Sequence, residues 1–384
     1  MSFQHVSPEL RVFCGGDSLA TLQRELERSG CRRAVVVCGR TIGRGEELGL
    51  LREALGPRLA GVTATAREHS PVAGVEEAAA FIEQAGGDGI VAVGGGSAAV
   101  TARAAAILVG EKRPLAELCT RRLADGRFES PRLNAPKLPL FVVPTTPSTA
   151  FAKAGTAVHA ADGQRLALFD PKTRARTIVI HPRFVQTAPH ELVLGATLNA
   201  LANAVEALES PQCDPFSEAL LMQALRLINR ALEAIGPEVD ASLREQLVVA
   251  ALLCGRGTEQ GGTGLASVLA HAIGKRVHVA NGIVNAIVLP HTMRFNAPVT
   301  VQRAAAVLDA LPGGPDEAGT PSPVARVQAL LARLTAPHML RQIGVTREDL
   351  QPLAQAAMSD WFVTRNARPV RDVDELLALL DAAW

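Results

Sequence analysis

The sequence predicts an α/β fold in two parts: a doubly wound parallel sheet in the N-terminal half and an all-helical domain after it. Three observations predict it. Short apolar runs rich in β-branched residues alternate with amphipathic stretches through the first half. Each of those runs ends in glycine or proline. Beyond about Pro189, strand signals nearly vanish and Ala- and Leu-rich helical periodicity takes over.

The elements follow in order. Leu19–Ser29 reads as a helix, and Ala34–Cys38 (AVVVC) reads as a buried strand stopped by Gly39. Val75–Ala85 is amphipathic, and Gly89–Val93 (GIVAV) is a second strand that runs into three glycines. Pro139–Val143 (PLFVV) is a third, closed by Pro144. Strands separated by helices imply parallel βαβ units whose right-handed crossovers cover both sheet faces. Helices are then expected at Glu191–Leu208, Pro215–Ile235, Ala241–Gly255 and Gly264–Gly274. The domains are drawn at 1–183 and 184–384, joined near His181–Pro189. The polar stretch Arg113–Lys137 and the loop Pro312–Pro323 read as surface excursions.

Composition narrows the function. The 384 residues suit two domains of ordinary size, and 48% are apolar, enough for two cores. Lys and Arg number 39 against 38 Asp and Glu, so no strong field points to nucleic acid or an acidic membrane. With no Tyr and only 3% aromatics, stacking platforms for bases are not expected. The N-terminus MSFQHVSPELRVFCGG has no signal-peptide pattern, and no apolar run is long enough to span a bilayer. Six cysteines stand singly without a C-x-x-C pair, as expected of reduced thiols in a cytoplasmic protein.

The strand ending at Val93 runs directly into Gly94, Gly95, Gly96 and Ser97 and then into an Ala-rich helix. Glycines let a ligand approach the backbone, and the free amides of a helix start suit a pyrophosphate; a plain tight turn is the other reading of three glycines. This strand–turn–helix unit is Rossmann-like. VAVGGGS followed by AAVTAR resembles the GGGSxxDxxK fingerprint of the iron-containing alcohol dehydrogenases, with Val100 and Arg103 at the usual Asp and Lys. Pro144-Thr145-Thr146 resembles that family's PTT. The segments REHSP (67–71), RTIVIHP (176–182), NALANAVEAL (199–208) and the tail RNARPVRDVDELLALLDAAW are most similar to the maleylacetate reductase branch. The resemblance covers the chain outside 113–137.

The resemblance implies a dehydroquinate-synthase-like fold with the active site in the cleft between two domains. It implies NAD or NADP as cofactor, held by Gly94, Gly95, Gly96, Ser97, Thr145, Thr146, Thr149 and Arg165. Where relatives often carry a ribose-binding Asp, this chain has Gly39 followed by Arg40. Loss of the carboxylate leans toward NADP, with Arg40 read either as a 2′-phosphate partner or as a solvated loop charge.

The family's divalent metal is held by one Asp and three His, and the resemblance puts those positions at Asn199, Asn203, Ser267 and Asn281. Neutral amides and a hydroxyl are poor transition-metal ligands, so no metal is expected. The cofactor-binding PTTxGTxSE of relatives has become PTTPSTAFA. A site rebuilt from His271 and His278 would need a carboxylate that this stretch lacks. His271 matches a cleft histidine of the family that is not a ligand, and it is the expected proton donor, with His278 and Asn281 as further catalytic candidates. Asn199, Asn203 and Ser267 are expected to bind the substrate.

These expectations give a metal-independent NAD(P)-dependent oxidoreductase of a small or peptide-borne hydroxy or oxo acid, cytoplasmic and homodimeric, in specialised metabolism. A maleylacetate-reductase-like enzyme of aromatic catabolism and a dinucleotide-binding partner protein without activity are the alternatives.

Overall fold

The computed structural model describes residues 2–123, 128–235, 240–312 and 322–384. The chain divides into two compact units, one comprising Ser7–Pro189 with Asp240–Val248, the other Met1–Val6, His190–Val239 and Val249–Trp384.

The first unit is the predicted α/β layer. Six parallel strands lie side by side in the order Arg11–Cys14, Ala175–Ile180, Leu140–Pro144, Gly89–Gly94, Ala34–Cys38, Leu59–Thr63. The three strands legible in the sequence are buried at every position, which is why they read as unbroken apolar runs. Helices Val72–Gln84 and Gly96–Glu111 are the crossovers on either side of strand Gly89–Gly94. The structure adds what the periodicity did not announce. Arg11–Cys14 and Leu59–Thr63 are half-exposed sheet edges. Gly155–His159 and Arg165–Phe169 form an antiparallel hairpin. The Leu19–Ser29 helix is split into a 3-10 turn, Ser18–Thr21, and a helix, Leu22–Arg28.

The 113–137 stretch holds the short helix Leu115–Leu118 and a two-residue strand pairing, Arg121–Arg122 with Phe128–Glu129. It does not end as a surface excursion. The Lys137 side chain is wholly buried, with Nζ 2.6 Å from Glu111 and 3.1 Å from Asp170. Those two carboxylates offset the cost of burying the ammonium. Burial alone would raise the Glu111 carboxyl; the Lys137 hydrogen bond and the Ala135 amide hold it below its ordinary value. Most of the expected loop Pro312–Pro323 lies outside the described residues; Ser322 caps helix Pro323–Leu331.

The second unit is all helical among the described residues. Helix His190–Glu209 packs closely on Asn281–Thr300: a Cβ added to Gly282 would lie 1.7 Å from the Gly195 carbonyl oxygen, so only glycine permits this crossing. Asp214 starts the helix Pro215–Ala234, its Oδ1 accepting the Phe216 and Ser217 amides at 2.8 and 3.0 Å, with proline at the first helical position. Its core is built from Leu201, Val205, Leu225, Ile228, Leu269 and Val288 among others. No helix among the described residues is long and apolar enough to cross a membrane. None of the six cysteines forms a disulfide, and all but Cys14 are buried.

Candidate functional site

In an open α/β sheet the ligand crevice opens at the carboxyl ends of the strands where the connection order reverses. Here that point lies between Ala34–Cys38 and Gly89–Gly94, neighbours in the sheet although Leu59–Thr63 intervenes in sequence. Gly39 and Arg40 follow the first strand, and Gly94, Gly95, Gly96 and Ser97 end the second. The structure therefore brings these six residues to one end of one sheet.

The glycines pack closely. Gly94 has φ +145°, and an added Cβ would sit 2.9 Å from the Ala98 Cβ. A Cβ on Gly95 would meet Thr146 Oγ1 at 3.0 Å, and one on Gly96 would meet Ser148 Oγ at 2.6 Å. Thr145 joins the same turn, its amide donating to the Gly94 carbonyl at 3.0 Å. Gly95 is the N-cap of helix Gly96–Glu111 and has no side chain to satisfy the first amides, so the helix start is left to an anionic ligand. A dinucleotide pyrophosphate fits this cradle.

Ser148 caps the turn Thr149–Ala152 through Ala150, and the turn is pinned from below by Arg103. That guanidinium is fully buried and donates to the Gly155 and Ala150 carbonyls at 3.0 and 2.7 Å. Arg103 thus holds the turn that carries Thr149. Thr145, Thr146 and Thr149 are all buried. Arg165 begins the hairpin's second strand, exposed and paired in register with His159. His159 Nδ1 lies 2.6 Å from the His69 carbonyl, and buried Ser70 donates to the Ser97 carbonyl at 3.1 Å. His69 and Ser70 have φ of +59° and +48°, an uncommon left-handed pair of non-glycine residues beside the turn. Ser70 and Ser148 were not singled out in the sequence; the REHSP resemblance, which contains Ser70, was the signal available for the first.

The helical unit gathers the other candidates. Asn199, Asn203 and Glu206 lie on one face of helix His190–Glu209, at spacings of four and three. Asn285 Nδ2 donates to Asn199 Oδ1 at 3.0 Å. Ser267 donates its hydroxyl to Glu206 Oε2 at 2.7 Å, and its amide donates to Glu206 Oε1 at 3.1 Å. The Gly264 and Ala266 amides also hydrogen-bond this carboxylate. Glu206 therefore caps helix Leu265–Val277 from a neighbouring helix. Asn366 Oδ1 takes the Leu265 amide at 3.1 Å, completing the cap. Burial pushes the Glu206 carboxyl up, against these hydrogen bonds.

His271 stands one turn beyond Ser267 on the same helix, with Nδ1 3.0 Å from Asp360 Oδ2. His278 is the exposed, left-handed C-cap of that helix, φ +54°. Asn281, also exposed, opens the next helix. Asn203 is buried. Glu206 and Asp360 escaped the sequence reading, although the position of Glu206 on the Asn199–Asn203 face was a usable sign.

At Asn199, Asn203, Ser267 and Asn281, where the sequence resemblance puts the family's metal ligands, the donor set is three neutral amides and one hydroxyl. The Asn199 oxygen is engaged by Asn285 and the Ser267 hydroxyl by Glu206. This set does not fit a transition-metal ion, and among the described residues no three His, Cys, Asp or Glu are grouped to hold one.

A doubly wound sheet with a glycine turn at its switch point, followed in sequence by a helical unit, defines the class. The family follows from comparison with known proteins. The iron-containing alcohol dehydrogenase model matches residues 8–182, and the C-terminal model of the Fe-containing alcohol dehydrogenase family matches residues 194–384. The chain belongs to the iron-containing alcohol dehydrogenase family and is an oxidoreductase of the alcohol dehydrogenase and reductase type. It is 27% identical to a maleylacetate reductase of Pseudomonas aeruginosa over 389 residues, covering 100% of this chain and 98% of that one. It is 26% identical to an NAD-dependent methanol dehydrogenase of Bacillus methanolicus over 314 residues, 79% of this chain and 80% of that one. An alcohol dehydrogenase structure from Oenococcus oeni shares the fold, with TM-score 0.90 at 19% identity and full coverage of both chains.

Proposed function

We propose that the chain is a metal-independent, NAD(P)-dependent oxidoreductase, a cytoplasmic homodimer that acts on a hydroxy or oxo acid, small or peptide-borne, in specialised metabolism. The observation that carries this reading is a contrast: an uncapped glycine cradle at Gly94–Ser97, and neutral side chains at the four positions that the sequence resemblance gives for a metal. The NAD-dependent relative supports the cofactor. When bound, the nicotinamide supplies or accepts the hydride.

The rest falls to the chain. His271 exchanges a proton with the substrate oxygen, so that the negative charge developing there is neutralised without a cation. The amides of Asn199, Asn203 and Asn281 bind a carboxylate or carbonyl. Ser267 spends its hydroxyl hydrogen on the bond to Glu206 and offers the substrate an acceptor. His278 stands second to His271, because its backbone geometry already accounts for it as a helix cap. Arg40 favours NADP: Arg40→Ala should lower the preference for NADPH over NADH by roughly tenfold, about one charge-assisted contact. An unchanged ratio would return Arg40 to a solvated charge.

The full-length alignment with the Pseudomonas aeruginosa enzyme supports maleylacetate reduction as the second reading. The test is oxidation of NADH and NADPH against maleylacetate and a panel of 2- and 3-oxo acids, with His271→Asn beside the parent. Turnover reduced about 10²- to 10⁴-fold in the variant, with dinucleotide affinity kept, supports the assignment. Equal turnover in both removes His271 from the chemistry. Tight dinucleotide binding with no turnover on any acid points to the partner protein without activity.

A further inference from the structure

His271 is held from a segment 89 residues away. Its Nδ1 lies 3.0 Å from Asp360 Oδ2, and its ring tilts against Phe362 with centroids 6.2 Å apart. The other oxygen of Asp360 is fixed by its own backbone, Oδ1 accepting the Phe362 amide at 2.9 Å. Both side chains are largely but not wholly covered, at 21% and 14% exposure, so the pair is neither a solvated surface contact nor sealed from a ligand. The same segment grips the helix a second time, six residues on. Asn366 takes the Leu265 amide, and it is itself locked to Asn296, which accepts the Asn366 Nδ2 at 2.7 Å. The stretch 360–366 thus holds both the ring and the first amide of the helix, while Glu206 takes the adjoining amides from another helix.

A carboxylate only accepts hydrogen bonds, and a neutral imidazole carries one N–H. An ionised Asp360 therefore draws the proton of neutral His271 to Nδ1 and leaves Nε2 as the atom whose protonation changes. We propose that Asp360 is the positioning residue of this site: it holds the His271 ring and its Nδ1–H tautomer, so that Nε2 is the atom that gives a proton to, or takes one from, the substrate oxygen. This rests on the reading of His271 as the acid–base group.

The test uses the full chain labelled with 15N-histidine, with the His271 signals assigned by their loss in His271→Asn. The parent should show a protonated Nδ1 and an unprotonated Nε2 in neutral His271. Asp360→Asn keeps the shape of the side chain and an oxygen for the Phe362 amide. It should nevertheless populate the opposite tautomer and lower kcat with NADPH and maleylacetate by ~10²- to 10⁴-fold, leaving KM for NADPH unchanged. A tautomer that stays Nδ1–H in Asp360→Asn, in protein that melts like the parent, overturns the proposal. If the tautomer shifts but His271→Asn turns over like the parent, the acid–base reading fails while the Asp360 assignment of the tautomer stands.

Discussion

Glu209 lies at the end of helix His190–Glu209, 7% exposed, and accepts one hydrogen bond from Asn296 Nδ2 at 2.8 Å. Burial pushes its carboxyl up to about 8; the Asn296 bond opposes this, and the nearby Glu206 charge adds to it. The folded form therefore keeps a proton that the unfolded chain releases near its ordinary value of 4.5. Between those values the native state binds more protons, so stability is fully present below pH 4.5 and is lost as pH rises to about 8. At about 1.4 kcal/mol per pH unit over that window, the loss is on the order of 3–5 kcal/mol. Glu209→Gln keeps the neutral shape and an oxygen for Asn296 and removes the titration; it also relieves Glu206 of the Glu209 charge at high pH, which acts in the same direction. Thermal melts of the two proteins should coincide near pH 5 and separate by on the order of 10 °C at pH 9, the variant melting higher. Parallel curves, or a variant less stable at pH 9, would refute the reasoning.

Two further outcomes follow from the glycine turn and the arginine beside it. Gly95 has an extended backbone, so Gly95→Val should fold, yet it adds bulk against Thr146 and should weaken NADH binding by about 100-fold or more, read by fluorescence titration; unaltered affinity would move the cofactor elsewhere. Arg103→Met removes a fully buried donor from the Gly155 and Ala150 carbonyls and should cost roughly 3 kcal/mol, seen as a melting temperature lower by about 6–12 °C; a change under about 2 °C would show that the turn is held without it.

What was legible in the sequence was what burial on both faces writes into it. Ala34–Cys38 forms over its expected residues, and the strands at Gly89 and Pro139 are displaced by at most one residue at either end. The edge strands escaped because a half-exposed strand of four or five residues, such as Arg11–Cys14 or glycine-containing Leu59–Thr63, leaves too short an alternation to stand out. The hairpin arms Gly155–His159 and Arg165–Phe169 are likewise mixed in burial and flank a polar turn. The cofactor turn was readable because its residues are consecutive. The polar partners in the helical unit were not: Glu206 reaches Ser267 across 61 residues and Asp360 reaches His271 across 89, and no local spacing encodes either meeting. His278 drew notice by its residue type alone; its left-handed cap geometry depends on the helix ending there.

The central claim is chemistry without a bound metal, and metal content and turnover measured on one sample test it most directly. Protein purified without added metal is assayed for iron and zinc, then for NAD(P)H oxidation before and after exhaustive chelation and after adding back each ion. Well under one equivalent of either metal is expected, with turnover and melting temperature unmoved by chelation. One tightly held equivalent per chain, with activity lost on chelation and restored by the ion, would contradict it.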